Sequence, residues 1–141
     1  MKEQITGQLK SLLAQKGVSL ALYTRDGRIR TFSGEGIRPL LNAVITEPEI
    51  FNGAFAADKV IGKAAALLLA YGNVRGVYAG LISETAIEVF NRFGIFCEFS
   101  KSAPFIQNRL GTGQCPMENL CADISGPAEA VKILHEKIFR H

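Results

Sequence analysis

The sequence predicts an α/β fold, a three-layer α/β/α sandwich whose middle layer is a mixed sheet of about four strands. Two patterns predict it. The dipeptide Asp26-Gly27 separates two segments rich in β-forming residues, which is typical of an antiparallel hairpin. Apolar segments over residues 76–82 and 95–99 flank a helical pattern over 84–93. A strand, a helix and a strand in this order give parallel strands through a right-handed crossover, with the helix packed on the sheet.

Local signals predict the elements of the first third of the chain. Apolar residues at helical spacing indicate a first helix that ends at Gly17, a residue suited to the position after a helix. The two strands of the hairpin cover 18–24 and 29–32. A second helix covers 37–45, with Pro39 tolerated in its first turn.

The stretch 57–72 predicts a central helix whose later turns are buried on every side, because no charge follows Lys63 until Arg75. Asp58 suits an N-cap or a first-turn position, where free backbone N–H groups favour an anion. Lys59 and Lys63 lie four residues apart, on one helical face. Two cations at a helix N-terminus oppose the helix dipole, so helix stability does not explain them. They either bind an anionic ligand, act as a catalytic amine, or pair with carboxylates.

The last third of the chain contains a long loop and two helices. The segment 101–114 is polar and rich in glycine, which predicts a functional or mobile loop. A short helix begins at Cys115-Pro116, and the last helix opens at 125–127. A helix N-terminus lowers the pKa of a thiol, so Cys115 is either a nucleophile or a thiol that caps the loop.

Composition predicts one globular domain over residues 1–141, because 48% of the residues are hydrophobic and 21% are charged. The net charge is +3 without a run of lysine and arginine, so dedicated nucleic-acid binding is unsupported. The longest apolar run is too short to cross a bilayer, which predicts no membrane association. The odd number of cysteines and the polar first residues predict a cytoplasmic protein.

The predicted ligand site lies beyond the carboxyl ends of the strands, where helix N-termini point in open α/β sheets. Two predicted helices begin there, at Asp58-Lys59 and at Ser83-Glu84-Thr85, and the loop before Glu118 can fold over both. We expect these groups to share one neighbourhood. The alternative is that they are helix caps, ion pairs and a surface loop.

Three segments carry a resemblance to a known family: 57–65, 82–86 and 111–118. They resemble a bacterial and archaeal family of unknown function with a cytidine-deaminase-like fold, and the resemblance covers nearly the whole chain. It implies an α/β/α sandwich in which the two helix N-termini line the cleft where true deaminases hold zinc.

The chain lacks the ligands of a deaminase zinc site at the matching positions. Such enzymes use His-x-Glu on one helix and Pro-Cys-x-x-Cys on the next. The only histidines, His135 and His141, lie near the chain end, and Ser83 or Glu84 stands where the first cysteine would be. We therefore expect no metal and no other cofactor.

The resulting hypothesis is a zinc-free cleft that binds, or acts on, a nucleotide-like or other anionic small molecule. The catalytic candidates are Asp58, Lys63, Glu84, Cys115 and Glu118. The ligand-binding candidates are Lys59, Ser83, Thr85, Asn108, Arg109 and Thr112. Two alternatives stay open: a non-catalytic binding or regulatory module, and an assembly module that forms a homodimer.

Overall fold

The computed structural model describes residues 3–106 and 116–139 and contains a five-stranded sheet in the order β2-β1-β3-β4-β5. The strands are β1 (Val18–Tyr23), β2 (Ile29–Ser33), β3 (Phe55–Ile61), β4 (Gly76–Ser83) and β5 (Phe96–Ala103). The helices are α1 (Glu3–Leu13), α2 (Arg38–Thr46), α3 (Lys63–Tyr71), α4 (Glu84–Arg92), α5 (Pro116–Cys121) and α6 (Pro127–Phe139), with a 3-10 turn at Pro48–Ile50.

Strand pairing confirms a mixed sheet. β1 pairs antiparallel with β2 on one side and with β3 on the other. β3, β4 and β5 run parallel to one another, as the strand–helix–strand pattern predicts. The three parallel strands therefore share one carboxyl edge and one amino edge, and β1 ends at the amino edge because it runs the other way.

Helices cover both faces of the sheet. Alternate side chains of a strand point to opposite faces, so one strand contributes to a separate core cluster on each side. Leu20 and Leu22 of β1 belong to a core cluster with α2, α3, α4 and α6, whereas Ala21 packs in a separate cluster with α1. Apart from its ends, α3 is enclosed in the first cluster, and Leu67, Leu68 and Leu69 are fully buried. The prediction that this helix lacks a solvent face over its later turns is confirmed up to Leu69 but is wrong for its last residue, Tyr71, which is 46% exposed.

The prediction of about four strands was wrong, because residues 55–61 form a strand and not the first turns of the central helix. Alanine-rich sequence favours a helix, but intrinsic preference is weak compared with tertiary pairing. β3 has a hydrogen-bonded neighbour on each side, β1 and β4, so its backbone is satisfied in the middle of the sheet. The helix begins only at Lys63, after the extended residue Gly62.

Two element boundaries also differ from the prediction. α1 ends at Leu13 and not at Gly17, and β5 begins at Phe96 and continues to Ala103, beyond the predicted end at residue 99. Pairing with β4 continues to the end of both strands, where Ser83 lies opposite Ala103.

None of the helices in the described ranges combines the length and the apolar character needed to cross a membrane.

Candidate functional site

Two helices begin side by side at the carboxyl edge of the parallel strands. Ile61, near the end of β3, pairs with Ile82 of β4, and α3 and α4 start within two residues of these positions. The predicted convergence of two helix N-termini is confirmed. Only the start of α3 differs from the prediction, so Lys63 and not Asp58 lies in its first turn.

The N-terminus of α3 is capped by a carboxylate from a distant part of the chain. The backbone N–H of Lys63 donates to Glu118 Oε2 over 2.8 Å, and Glu118 is only 5% exposed. Desolvation raises the pKa of Glu118, while the backbone N–H groups of Lys63 and Ala64 and the charge of Lys63 lower it in part. A free helix N-terminus attracts anions, and here the protein supplies its own.

Gly62 makes this contact possible. A Cβ atom at residue 62 would overlap the Glu118 carboxylate and lie 3.0 Å from Cγ1 of Ile106. The position therefore requires glycine because of close approach and not because of an unusual backbone conformation. The contact joins α5 to the start of α3.

The lysines do not form the predicted cationic face. Lys59 lies in β3 and is exposed, so it shares no helical face with Lys63. The Lys63 ammonium donates to the carbonyl oxygen of Ala122 over 2.7 Å. Lys63 thus holds the segment after α5, and its ammonium already has a hydrogen-bond acceptor within the protein.

Asp58 is a partly buried strand residue and not a helix cap. Desolvation raises the pKa of Asp58 to about 7, although hydrogen bonds from the backbone of Val60 and Lys59 and the charge of Lys59 oppose the shift. The Val60 N–H donates to Asp58 Oδ1 over 3.3 Å. A carboxyl group that titrates near neutral pH is suited to general acid–base chemistry.

Ser83, a ligand-binding candidate, is the N-cap of α4. The backbone N–H of Ala86 donates to Ser83 Oγ over 3.1 Å, and Thr85 Oγ1 lies 2.9 Å from the same atom. Glu84 is exposed in the first turn. The Ser83 hydroxyl therefore has a structural role that the sequence pattern already explains.

Four predicted site residues fall outside the described part of the chain: Asn108, Arg109, Thr112 and Cys115. Over residues 3–106 and 116–139, no group of three histidine, cysteine or acidic side chains is arranged to hold a metal ion.

A cavity that the sequence did not predict lies at the opposite, amino edge of the parallel strands. Its volume is about 580 Å³. It is lined by Ile5, Tyr23, Thr24, Arg25, Gly53, Phe55, Arg75 and Phe96. A smaller polar cavity of about 360 Å³ adjoins it and shares Thr24 and Arg25.

Two cations face the larger cavity without a carboxylate opposite them. Neither Arg25 nor Arg75 forms an ion pair with any residue in the described ranges, and the lining contains no acidic side chain. The Arg75 guanidinium lies over the ring of Phe55, 5.3 Å from its centroid. Such stacking orients the guanidinium and leaves its N–H donors available.

The sequence missed this cavity because its residues come from separate connections. Arg25 follows β1, Arg75 precedes β4, and Phe96 opens β5. Only the strand order places these three positions at one edge. Each of these residues lies at or within two residues of a strand end, a position that the sequence could have indicated. Because β3 was not predicted as a strand, the order of the strands in the sheet could not be inferred.

Comparison with known proteins identifies the family. The family model described as TM1506, domain of unknown function (DUF1893), matches residues 8–138. The crystal structure of a DUF1893 family protein (TM1506) from Thermotoga maritima has a TM-score of 0.87 and 25% sequence identity, over 98% of this chain and 92% of that one. The curated proteins include no match. Because the family model spans nearly all of the sequence and the whole fold is shared, the chain belongs to the DUF1893 family.

Proposed function

We propose that the protein binds an anionic small molecule in the cavity at the amino edge of its parallel strands. The observation that carries this proposal is the pair of arginines, Arg25 and Arg75, which face the cavity with no acidic residue in its lining. The ligand class agrees with the one expected from the sequence. The location differs from the one expected, in which Lys59, Lys63 and Arg109 hold the anion. Lys63 and the N-terminus of α3 are already engaged by the protein itself, Lys59 is exposed on β3, and Arg109 lies outside the described residues.

The physical case rests on the chemistry of the guanidinium group. Its planar array of N–H donors matches a carboxylate or a phosphate in a bidentate manner, and charge-assisted hydrogen bonds of this kind are about twice as strong as neutral ones. The cavity volume of about 580 Å³ lies within the range of small-molecule sites, roughly 300–1,000 Å³. Phe55 keeps Arg75 oriented before a ligand arrives, which reduces the entropy lost on binding.

Replacement of Arg75 by alanine tests the site. We expect Arg75→Ala to weaken binding of ribose 5-phosphate at least about tenfold, and Arg75→Lys to weaken it less, because lysine keeps the charge but loses the planar donor array. Isothermal titration calorimetry measures both affinities.

Arg38→Ala is the matched control, since Arg38 also stacks on a phenylalanine, Phe139, but lies outside the cavity. The proposal is wrong if wild-type protein binds neither ribose 5-phosphate nor any nucleoside monophosphate, or if Arg38→Ala and Arg75→Ala lose the same affinity.

A narrower proposal is an acid–base role for Asp58, which lies in the middle of β3. The pKa of about 7 supports it, since the carboxyl group both accepts and donates a proton near neutral pH. The cytidine-deaminase-like classification belongs to the same proposal, and the parallel β3-β4-β5 arrangement with two helix starts at one edge supports it.

Self-assembly is a second candidate function, favoured by the edge strand β5. Phe99 is 42% exposed on this strand, which is the last strand of the sheet over residues 3–106 and 116–139, and an edge strand offers backbone groups to another copy. We expect wild-type protein to form a homodimer and Phe99→Asp to be monomeric, because a charge on each copy would face an apolar surface. Light scattering after size-exclusion chromatography gives both molar masses, and a monomeric wild type would exclude this candidate.

A further inference from the structure

We propose that the ligand of the amino-edge cavity is a nucleoside monophosphate, whose base stacks on Phe96 while its phosphate lies between Arg25 and Arg75. This inference rests on the proposed function and extends it from an anion to an anion that carries a planar ring. Three features carry it: a row of aromatic residues, a ring without a stacking partner, and two glycines that place the neighbouring side chains.

The aromatic residues form a row across four adjacent strands. Tyr23 pairs with Phe55, Phe55 with Gly76, and Gly76 with Phe96. Residues paired in this way lie on the same face of a sheet, and neighbouring strands are about 4.8 Å apart. The cavity therefore has an aromatic floor that is interrupted only at Gly76, where no side chain stands.

Phe55 and Phe96 have different roles in this row. The ring of Phe55 lies against the backbone of Gly76, because a Cβ there would be 3.1 Å from Cδ1 of the ring, and the same ring carries Arg75. Phe96 is 52% exposed, and over the described residues no ring or cation stacks on it. Phe96 thus offers a free aromatic face beside two cations.

Gly53 determines where the side chain of Arg25, the second cation, lies. It has a φ of +74°, and a Cβ there would lie 2.8 Å from Cδ of Arg25. The Arg25 side chain therefore runs directly along the backbone at Gly53, from where it reaches both cavities. A ligand that combines a planar ring with a phosphate would use both kinds of surface, and a nucleoside monophosphate has this chemistry.

A comparison of three kinds of ligand, a sugar phosphate, a nucleoside and four nucleotides, separates the inference from the proposed function. Wild-type protein is titrated with ribose 5-phosphate, with adenosine, and with AMP, GMP, CMP and UMP in turn. We expect at least one nucleotide to bind about tenfold or more tightly than ribose 5-phosphate, because stacking of the base on an aromatic ring adds to the affinity. If ribose 5-phosphate binds as tightly as all four nucleotides, this inference is wrong and the anion site remains.

Two other outcomes of these titrations would contradict both the proposed anion site and the nucleotide inference. Adenosine that binds as tightly as AMP would show that the phosphate makes no contribution, which contradicts the proposed function and this inference together. Absence of binding by every compound would overturn both.

The variant Phe96→Ala tests whether the base stacks on Phe96. We expect it to reduce the affinity of the best nucleotide about tenfold, to the level of ribose 5-phosphate, and to leave ribose 5-phosphate binding unchanged. Phe105→Ala is the matched control, because Phe105 is also an exposed phenylalanine but lies beyond the carboxyl end of β5 and does not line the cavity. Equal losses in both variants, or a loss of ribose 5-phosphate binding in Phe96→Ala, would contradict the stacked position. Circular dichroism confirms that the variants are folded.

Discussion

Gly62→Ala is expected to destabilise the protein by about 3 kcal/mol. A methyl group at this position overlaps the Glu118 carboxylate, so either Glu118 leaves the N-terminus of α3 or the backbone at residue 62 moves. The first outcome removes a charge-assisted hydrogen bond from Lys63 N–H and displaces a buried carboxylate. The second disturbs the junction between β3 and the most deeply buried helix of the fold.

Urea denaturation at 25 °C gives the free energy of unfolding for this comparison. Gly7→Ala is the matched control, since it lies within α1 and a Cβ there meets no atom within 4 Å. We expect Gly7→Ala to increase stability by about 0.5–1 kcal/mol, the usual gain for alanine over glycine in a helix.

A double-mutant cycle with Glu118→Ala distinguishes overlap from a general loss of packing. If the clash is the cause, Gly62→Ala adds little further cost once the carboxylate is gone, so the two losses are not additive. A Gly62→Ala protein that is as stable as wild type would contradict the described contact between residue 62 and Glu118.

Asp58→Asn is expected to stabilise the protein at pH 8 by about 2 kcal/mol, a value reduced from the full linkage energy because the residue is only partly buried. The folded-state pKa of Asp58, about 7, is above its ordinary value of 3.8, since desolvation disfavours the charged form. The folded state therefore binds more protons than the unfolded state between these values. Stability falls as the pH rises through this window and becomes constant above pH 7.

The measurement is the free energy of unfolding in urea at pH 5 and at pH 8. We expect the wild type to lose stability between these values and Asp58→Asn to lose less. Asp26→Asn is the control, because a hydrogen bond from Thr24 and the neighbouring Arg28 lower the pKa of Asp26, so its contribution changes only in more acidic solution. An identical pH dependence in wild type and Asp58→Asn would show that Asp58 ionises normally in the folded protein.

The parts of the fold that depend on local chemistry were predictable from the sequence. The Asp26-Gly27 turn, the cap at Ser83 and the parallel pairing of β4 with β5 all follow from residues close together in the chain. The strand β3 was not predictable in the same way. Its alanines and lysine favour a helix, and only the neighbouring strands β1 and β4 make an extended backbone more stable there.

The candidate sites likewise contain features that could be predicted from the sequence and features that could not. Glu118 was correctly placed near the start of α3, but its role as a cap could not be inferred, because the hydrogen bond joins residues 55 positions apart. That contact also explains why Lys63 and the helix N-terminus are poor candidates for an external anion. Arg25 and Arg75 each lie close to a strand end, but that position alone did not indicate a shared cavity, because only the strand order brings the two residues together.

The most direct test of the central claim locates the bound nucleotide on one edge of the sheet. Amide chemical shifts of ¹⁵N-labelled protein are followed while the best nucleotide from the titrations is added. We expect the largest changes at Arg25, Phe55, Arg75 and Phe96, with little change at Lys63, Ser83 and Ala86. Changes concentrated at Lys63, Ser83 and Ala86 would place the ligand at the carboxyl edge and contradict the assignment of the arginine-lined cavity as the binding site.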